Sequence, residues 1–312
     1  MKFYKAITRS PKATAGAIIM LAFVILAIAP GLFAHDSPTA EIYVRNLPAS
    51  GQHPFGTTGL GQDVFAQAVY GTRDVLEIAI GAGLASTLIA ALIGVAAAYL
   101  GGWVENILNL FTDVVLVIPL FPLLIVIAAY MHNSSTGVMI AVLTFTGWSY
   151  TARQLRSQAL ALKNRDFLAA AKVRGERALY IIIVEILPTM SSLLVAAFLT
   201  NGLYDVLFAS SLQFIGLGDP NSTSWGTMLY WAENNEALQG GFYLQAIVPG
   251  AAIALLGAAF ALLNYAFDEI GNPALRRVPV ARRRARVFPE GRPPQTPPDE
   301  RRELPVRRLR RA

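Results

Sequence analysis

Residues 78–104 read IAIGAGLASTLIAALIGVAAAYLGGWV, a stretch without a single charged side chain. A helix needs roughly 20 consecutive apolar residues to cross the hydrocarbon core of a bilayer. Because this stretch is longer than that and contains no ionisable group, it predicts a transmembrane helix rather than a buried helix of a soluble domain. It therefore places the chain among the membrane proteins.

Further runs without Asp, Glu, Lys or Arg lie on both sides of this stretch. They cover residues 13–34, 114–152, 186–204 and 246–267. The run 114–152 is too long for one span, and the polar cluster HNSSTG at 132–137 is a turn signal that divides it into two helices. The sequence thus predicts an all-α, polytopic membrane protein with six transmembrane helices.

The composition of the whole chain agrees with this class and excludes several kinds of site. Apolar residues make up 54% and charged residues 15%, whereas a soluble domain carries about a quarter charged residues. The chain has no Cys, which excludes disulfides, thiolate metal sites and a Cys nucleophile. It also has no HExxH and no P-loop motif. We therefore expect no metal site, no cofactor bound by this chain and no catalytic activity of its own.

The distribution of positive charge predicts the orientation in the membrane. Of the 26 Lys and Arg residues, all but Arg45 and Arg73 lie in the N-terminal segment 1–12, in the loop 153–177 or in the tail 276–312. Cytoplasmic loops carry an excess of Lys and Arg. Both termini and the loop are therefore predicted to be cytoplasmic.

The segments outside the spans receive separate predictions. Residues 35–75 are predicted to be extracytoplasmic, and residues 208–232, rich in Gly, Pro, Ser and Asn, to form a packed extracytoplasmic loop that is in part re-entrant. The tail 276–312 is rich in Arg and Pro, cannot bury a core and is predicted to be disordered. An alternative for run 13–34 is a cleaved signal peptide, but its length and the poor cleavage site favour an uncleaved span.

The cytoplasmic loop 163–178 contains the stretch NRDFLAAAKVRG at 164–175. Asp166 is a candidate N-cap residue, and Gly175 is placed to end the helix as a C′ residue. The small side chains at 169–171 would let the surface of a second protein approach the helix backbone closely. The pattern predicts a short docking helix between two spans, although a basic amphipathic helix lying on the membrane is an alternative.

This loop resembles the EAA loop of inner-membrane permeases of ABC importers. In that pattern E-A-A is followed by three residues and a glycine, and about nine residues later by a hydrophobic residue and L-P. Here the triplet is AAA at 169–171, the glycine is Gly175 and the close is ILP at 186–188. Ala169 stands where the family has glutamate, so any salt bridge of that glutamate is missing. The residues for which the resemblance implies ATPase coupling are Asp166, Phe167, Ala169, Ala170, Ala171, Gly175, Leu187 and Pro188.

Three other stretches extend the resemblance over residues 5–277. HPFGTTGLGQDVF at 53–65, LQFIGLG at 212–218 with SWGTML at 224–229, and the last helix from Pro249 onward follow in the order found in the C-type permease of dipeptide and oligopeptide importers, which has the MetI-like fold. The chain departs from that pattern at Thr58, Gln62, Ala209 and Asn272. These departures leave open which substrate branch of the family it resembles.

The resemblance implies a function and a set of partners. It implies a prokaryotic inner-membrane permease that forms half of a translocation pathway for short peptides or similar solutes. A second, related permease would supply the other half, two ATPase subunits would bind ATP and Mg, and an extracytoplasmic solute-binding protein would deliver the cargo. The alternative is an ion-coupled secondary transporter that works without an ATPase.

Three residues are candidates for the pathway or the outer loop. Asp113 lies in the third helix, and an ionisable residue in a span suggests function, although local pairing near the cytoplasmic interface is an alternative. As the only acid within the predicted spans, Asp113 gives little support to ion coupling. Pro119 is predicted to bend its helix. Trp225 would either pack the outer loop over the pathway or have a packing role alone.

Gly83 and Gly94 in the run 78–104 are small residues, and they predict close packing of this helix against its neighbours.

Overall fold

The computed structural model describes residues 11–130 and 135–271, and its regular secondary structure in these ranges is helical apart from one isolated bridge between Thr57 and Asp63. The predictions for the first ten residues, for His132 and for the tail 276–312 lie outside the described residues. The helices are α1 (Pro11–Ile28), α2 (Val64–Leu100), α3 (Gly102–Val117), α4 (Leu120–Tyr130), α5 (Thr136–Leu162), α6 (Asp166–Val173), α7 (Ala178–Thr189), α8 (Ser191–Phe214), α9 (Trp225–Asn234) and α10 (Leu244–Gly271).

Four of these helices, α1, α2, α8 and α10, are long and apolar enough to cross a membrane. Helices α3 and α4 pass the same test only as a pair, bent by 81°, which brings the number of candidate spans to as many as five. Helix α5 is 27 residues long, but its Thr, Ser and Arg residues lower its hydropathy. The structure thus supports four of the six predicted spans, and a fifth if the bent pair α3–α4 is counted as one span. The sixth predicted span corresponds to α5, which is not among these candidates.

Helix α2 begins at Val64, well before the uncharged run that starts at residue 78. The Asp63 side chain caps it by accepting a hydrogen bond from Ala66 N at 2.7 Å. Its first turns carry an exposed ion pair of Arg73 and Glu77. Residues 64–75 therefore form the first turns of α2, a helical start that lies before the uncharged run.

The uncharged run 114–152 is interrupted at Pro119, which lies between the end of α3 and the start of α4. Proline has no N–H and its ring clashes with the preceding turn of a helix, so it bends or ends the helix. The predicted bend at Pro119 is confirmed, and its angle of 81° is large enough to break the span. Helix α3 also begins at Gly102, before the uncharged run that starts at residue 114.

The segment 208–232, predicted to be a loop, is partly helical. Helix α8 extends to Phe214, beyond the predicted end at residue 204, and α9 begins at Trp225. Ser224 and Thr227 form a capping box at the start of α9, in which the Ser224 hydroxyl accepts a hydrogen bond from Thr227 N at 3.2 Å. Only residues 215–224 connect the two helices without regular structure.

Helix α2 lies at the centre of the bundle and contacts both α5 and α8 closely. A side chain at Gly94 would collide with the backbone carbonyl of Ala152 in α5. At Gly83 an added Cβ would lie 3.1 Å from the backbone nitrogen of Gly202 in α8. These two glycines confirm the close packing that the sequence predicted, because small residues let helix backbones approach each other in lipid.

Candidate functional site

Helix α6 occupies the predicted cytoplasmic loop, but its N-terminus differs from the prediction. The N-cap residue is Arg165, in an extended backbone conformation and without a side-chain cap. Asp166 is the first helical residue, so the prediction of an Asp166 N-cap is wrong. Its carboxylate still lies in the first turn, where it favours the positive end of the helix dipole.

The C-terminus of α6 has the geometry that the sequence predicted. Gly175 has φ +77°, the left-handed region in which glycine is favoured. Gly175 N donates to Lys172 O at 3.0 Å, and Glu176 N donates to Ala171 O at 3.2 Å. This pair of bonds is a Schellman motif with glycine at C′. No atom lies within 4 Å of the place where a Cβ would sit, so the backbone angle, not lack of space, constrains this position.

The two faces of α6 differ in burial. Leu168 and Ala171 are fully buried, whereas Ala169, Ala170 and Val173 are exposed. The predicted alanine triplet is therefore divided, since Ala171 packs inward while the other two alanines face outward. At helical spacing, the three exposed residues form a small-residue face.

The buried face of α6 belongs to a hydrophobic cluster that also includes residues of α2, α5 and α7. Leu168 and Ala171 share this cluster with buried side chains of the other three helices. These are Val95 and Ala98 of α2, Leu155 and Ala159 of α5, and Ile181, Ile182 and Ile186 of α7. Leu187 is partly buried against the same cluster, and Pro188 is exposed.

Polar contacts add to this attachment. Lys163 Nζ donates to Ala98 O at 2.8 Å, near the C-terminus of α2. The Lys172 ammonium lies 5.4 Å from the centre of the Tyr99 ring. Arg174 pairs with Glu185 of α7 at 3.1 Å. These contacts join Lys172 of α6, and the residues Lys163 and Arg174 that flank it, to α2 and α7.

Asp113 pairs with Arg153 of α5, which is the local pairing considered as an alternative to a pathway role. Its side chain is 57% exposed. The pair borders a cavity of about 250 Å³ between α2, α3 and α5, which Arg156 also lines. Arg156 is itself paired with Glu105 of α3. Two ion pairs thus link α3 to α5 at this end of the bundle.

Trp225 is fully buried. Its indole Nε1 donates to Ala68 O at 2.9 Å, and its ring contacts Phe23 edge to face at 5.4 Å. It therefore joins α9 to α1 and α2, which supports the packing role for this residue.

Sequence reasoning missed Asp205. This residue lies in α8, is only 4% exposed and borders a cavity of about 290 Å³. The rule that a span is an uncharged run ended the fifth span at residue 204 and so placed the acid just outside it. The statement that Asp113 is the only acid within the spans is therefore wrong. A helix extended to its natural end in the LQFIGLG segment would have included Asp205.

Within the described residues, no group of three His, Asp or Glu side chains is arranged to hold a metal ion. His53 Nδ1 instead lies 2.6 Å from Asp63 Oδ2, the same carboxylate that caps α2. This pair fixes the segment before α2 to the start of that helix.

Comparison with known proteins gives a consistent set of relatives. Residues 90–277 match the family described as "Binding-protein-dependent transport system inner membrane component". The dipeptide transport system permease protein DppC of Bacillus subtilis is 32% identical over 278 residues, which are 88% of this chain and 85% of that relative. The oligopeptide transport system permease protein OppC of Mycobacterium tuberculosis (strain H37Rv) is 30% identical, over 68% of this chain and 74% of its own length. The glutathione transport system permease protein GsiD of Pectobacterium atrosepticum is 30% identical over 278 residues, which are 88% of this chain and 91% of that relative.

Proposed function

The chain belongs to the family of inner-membrane components of binding-protein-dependent transport systems, and from that premise we propose that it is a peptide-importing permease driven by separate ATPase subunits. The family consists of membrane permeases and not of the ATPases, in agreement with the expectation that this chain is not an enzyme. Relatives named for dipeptides, oligopeptides and glutathione support short peptides as the cargo class.

The observation that carries the coupling proposal is the division of α6 into two faces. Leu168 and Ala171 attach the helix to the hydrophobic cluster of α2, α5 and α7. Ala169, Ala170 and Val173 are left exposed, and Val173 is 89% exposed. An exposed face with small side chains suits insertion into a cleft of an ATPase subunit, in the role that the family's EAA loop implies.

In this mechanism ATP and Mg act in the ATPase subunits and not in this chain. Closure of the ATPase pair on ATP would displace α6. Because α6 packs against α2 and α7, and Lys163 and Arg174 on either side of it bond to these two helices, its displacement would move the bundle as rigid bodies. The pathway would then alternate between outward-facing and inward-facing states. A second, related permease would complete the pathway, and a solute-binding protein would dock on the extracytoplasmic side.

The same proposal includes six spans with both termini in the cytoplasm. The sixth span is α5, in which Thr146, Ser149 and Thr151 are buried. Its apolar residues Trp148, Ala152 and Leu155 belong to the hydrophobic cluster that also holds α6. The two arginines of α5 pair with acids of α3, and pairing of charges lowers the cost of a polar helix in a membrane.

Ion coupling without an ATPase is the competing function, and the buried Asp205 gives it one supporting observation. Reconstitution decides between the two. We expect dipeptide uptake into proteoliposomes to require ATP and the ATPase subunits, and to persist when ionophores collapse proton and sodium gradients. Uptake that needs an ion gradient and no ATP would establish the competing function.

The coupling surface is tested by Ala170→Glu, with Ala170→Ser as the matched control. Glu adds volume and charge to a face proposed to enter a protein cleft, where packed contacts tolerate extra volume poorly. We expect Ala170→Glu to reduce copurification of the ATPase subunits and cargo-stimulated ATP hydrolysis at least about tenfold, a loss of about 1.4 kcal/mol. Ala170→Ser should behave as the parent chain. Normal coupling in Ala170→Glu would exclude this face as the docking site.

A further inference from the structure

Asp205 is a buried acid in the middle of α8, and the described residues offer its Oδ2 atom no hydrogen-bond partner. The side chain faces α2 next to Gly83, where an added Cβ would be in van der Waals contact with Oδ2 at 3.5 Å. Oδ2 is inaccessible and has no hydrogen-bond partner among the described residues. A carboxylate removed from water without a compensating charge is costly, so this arrangement calls for an explanation.

General poor packing does not explain the missing partner of Asp205, because the amide of Asn201, one helical turn away, is hydrogen-bonded. Asn201 Nδ2 donates to Thr87 Oγ1 of α2 at 2.9 Å, and Thr151 Oγ1 of α5 donates to Asn201 Oδ1 at 2.9 Å. Asn201 thus joins three helices through bonds that use both ends of its amide. Asp205 follows on the same face of α8 and receives no such bond.

Asp205 borders the cavity of about 290 Å³ that opens between α2, α4, α5 and α8. Its polar lining consists of hydroxyl and amide groups, namely Ser86, Thr146, Thr200 and Asn201. Its aromatic lining consists of Tyr150, Tyr204 and Phe208, and the Tyr204 and Phe208 rings are stacked at 6.2 Å. No Lys, Arg or His is among the described residues that line it.

This set of groups fits a cation that arrives from outside the chain. Divalent metal ions in protein sites are usually held by several carboxylate or imidazole ligands, and no group of three such side chains that includes Asp205 occurs in the described part of the chain. An ammonium group has three donors, which a carboxylate and neighbouring hydroxyl or amide oxygens can accept. Aromatic faces beside such a site attract a cation further.

We propose that Asp205 and this cavity form a subsite in the translocation pathway that binds the ammonium group of the passing peptide. The proposal rests on the proposed function and adds a recognition step inside the membrane, separate from recognition by the solute-binding protein. The unpaired carboxylate is then a site kept ready for a positive charge that the cargo supplies. An intramembrane acid of this kind is expected to have a functional partner.

The test compares Asp205→Asn, Asp205→Glu and Ser210→Ala in the complete reconstituted complex with ATP. Asp205→Asn keeps the shape and removes the charge, and Asp205→Glu keeps the charge. Ser210 is the control, because it is a buried residue of the same helix whose hydroxyl also lacks a partner but does not line the cavity. The probes are the dipeptides Ala-Ala, Lys-Ala and Glu-Ala, delivered by the same unaltered solute-binding protein.

We expect Asp205→Asn to lower uptake at least about tenfold, in keeping with loss of a hydrogen-bonded charge partner. Asp205→Glu should retain a substantial part of the uptake and Ser210→Ala should match the parent. An equal loss for all three dipeptides assigns the subsite to the α-ammonium group, and a loss confined to Lys-Ala assigns it to a side-chain ammonium.

The midpoint of thermal unfolding is a second measurement, and it distinguishes a binding role of Asp205 from a purely structural one. Removing an unpaired buried charge should leave the midpoint of thermal unfolding unchanged or raise it, while uptake falls. A function-related group that costs stability behaves in this way.

Three outcomes would overturn the inference. They are uptake by Asp205→Asn within twofold of the parent, a loss of uptake accompanied by a lowered midpoint or loss of partner subunits, and a loss in Asp205→Glu as severe as in Asp205→Asn. If the parent complex itself imports none of the dipeptides, the proposed peptide function fails instead, and the two failures are therefore distinguishable.

Discussion

At the scale of single residues, backbone conformation determines which positions tolerate change. Gly175 adopts φ +77° at the end of α6 and is surrounded by open space. Two hydrogen bonds close a Schellman motif here, from Gly175 N to Lys172 O and from Glu176 N to Ala171 O. The orientation of the chain between α6 and α7 therefore depends on a left-handed residue and not on a tight contact.

This conformation predicts a difference between two substitutions. Gly175→Val places a β-branched residue in the left-handed region, which costs about 1–2 kcal/mol or more for residues other than glycine. Gly175→Asn is the matched control, because Asn tolerates this region. We expect Gly175→Val to reach the membrane but to abolish cargo-stimulated ATP hydrolysis, and Gly175→Asn to keep most of it. The measurement is the ATPase rate of the reconstituted complex at equal expression, and full activity in Gly175→Val would show that the turn does not transmit coupling.

At the scale of helices, α2 organises the bundle because its small residues let two neighbours approach. Gly94 lies against the backbone of α5 at Ala152, and Gly83 lies against α8 at Gly202. The Asn201 amide adds a polar link among α2, α5 and α8. Helix α5 holds the arginines that pair with α3, so the distance between α5 and α2 also affects the position of α3 relative to α2.

The closeness of α2 and α5 predicts a strong effect of one methyl group. In Gly94→Ala the added Cβ would collide with Ala152 O, so the helices must separate. Overpacking of this kind typically costs about 1–3 kcal/mol. We expect a lowered midpoint of thermal unfolding in detergent, whereas Gly137→Ala in α5, which has nothing within 4 Å of the added atom, should not be destabilised. Equal midpoints for the two variants would contradict the close α2–α5 contact.

At the scale of the whole molecule, the asymmetry of charge and the positions of the helices together define two sides. The segment before α2 carries the His53–Asp63 pair, and the loop at α6 carries Lys163, Lys172 and Arg174. The proposed topology places these two regions on opposite sides of the bilayer. A chain without Cys makes this topology simple to test by single substitutions.

Ser50→Cys should react with an impermeant thiol reagent in intact cells, and Asn164→Cys should not. Both residues are exposed in the structure, so burial would not explain a lack of labelling. Permeabilised cells provide the control, because Asn164→Cys should then react as well. Labelling of Asn164→Cys, and not of Ser50→Cys, in intact cells would end the six-span topology.

Much of the architecture could be predicted from local properties of the sequence. The apolar runs identified the membrane class, Pro119 marked the break between α3 and α4, and Gly175 marked the end of α6. Each of these follows from a property that a short segment carries by itself, such as hydropathy, the missing N–H of proline or the conformational freedom of glycine.

Helix ends and burial were decided by the tertiary structure. Helix α2 starts at a cap that Asp63 provides, and α8 continues past its first acid because the protein, not lipid, surrounds that acid. Which alanine of the α6 triplet faces inward depends on the cluster of α2, α5 and α7. The isolation of Asp205 likewise exists only where α8 meets Gly83 of α2, a contact between residues far apart in sequence. Charge and hydropathy of single segments carry no information on such partners. For that reason the sequence alone determined the membrane class and the position of the loop helix for which docking is proposed, while the packed bundle determined which of the described side chains remain unpaired.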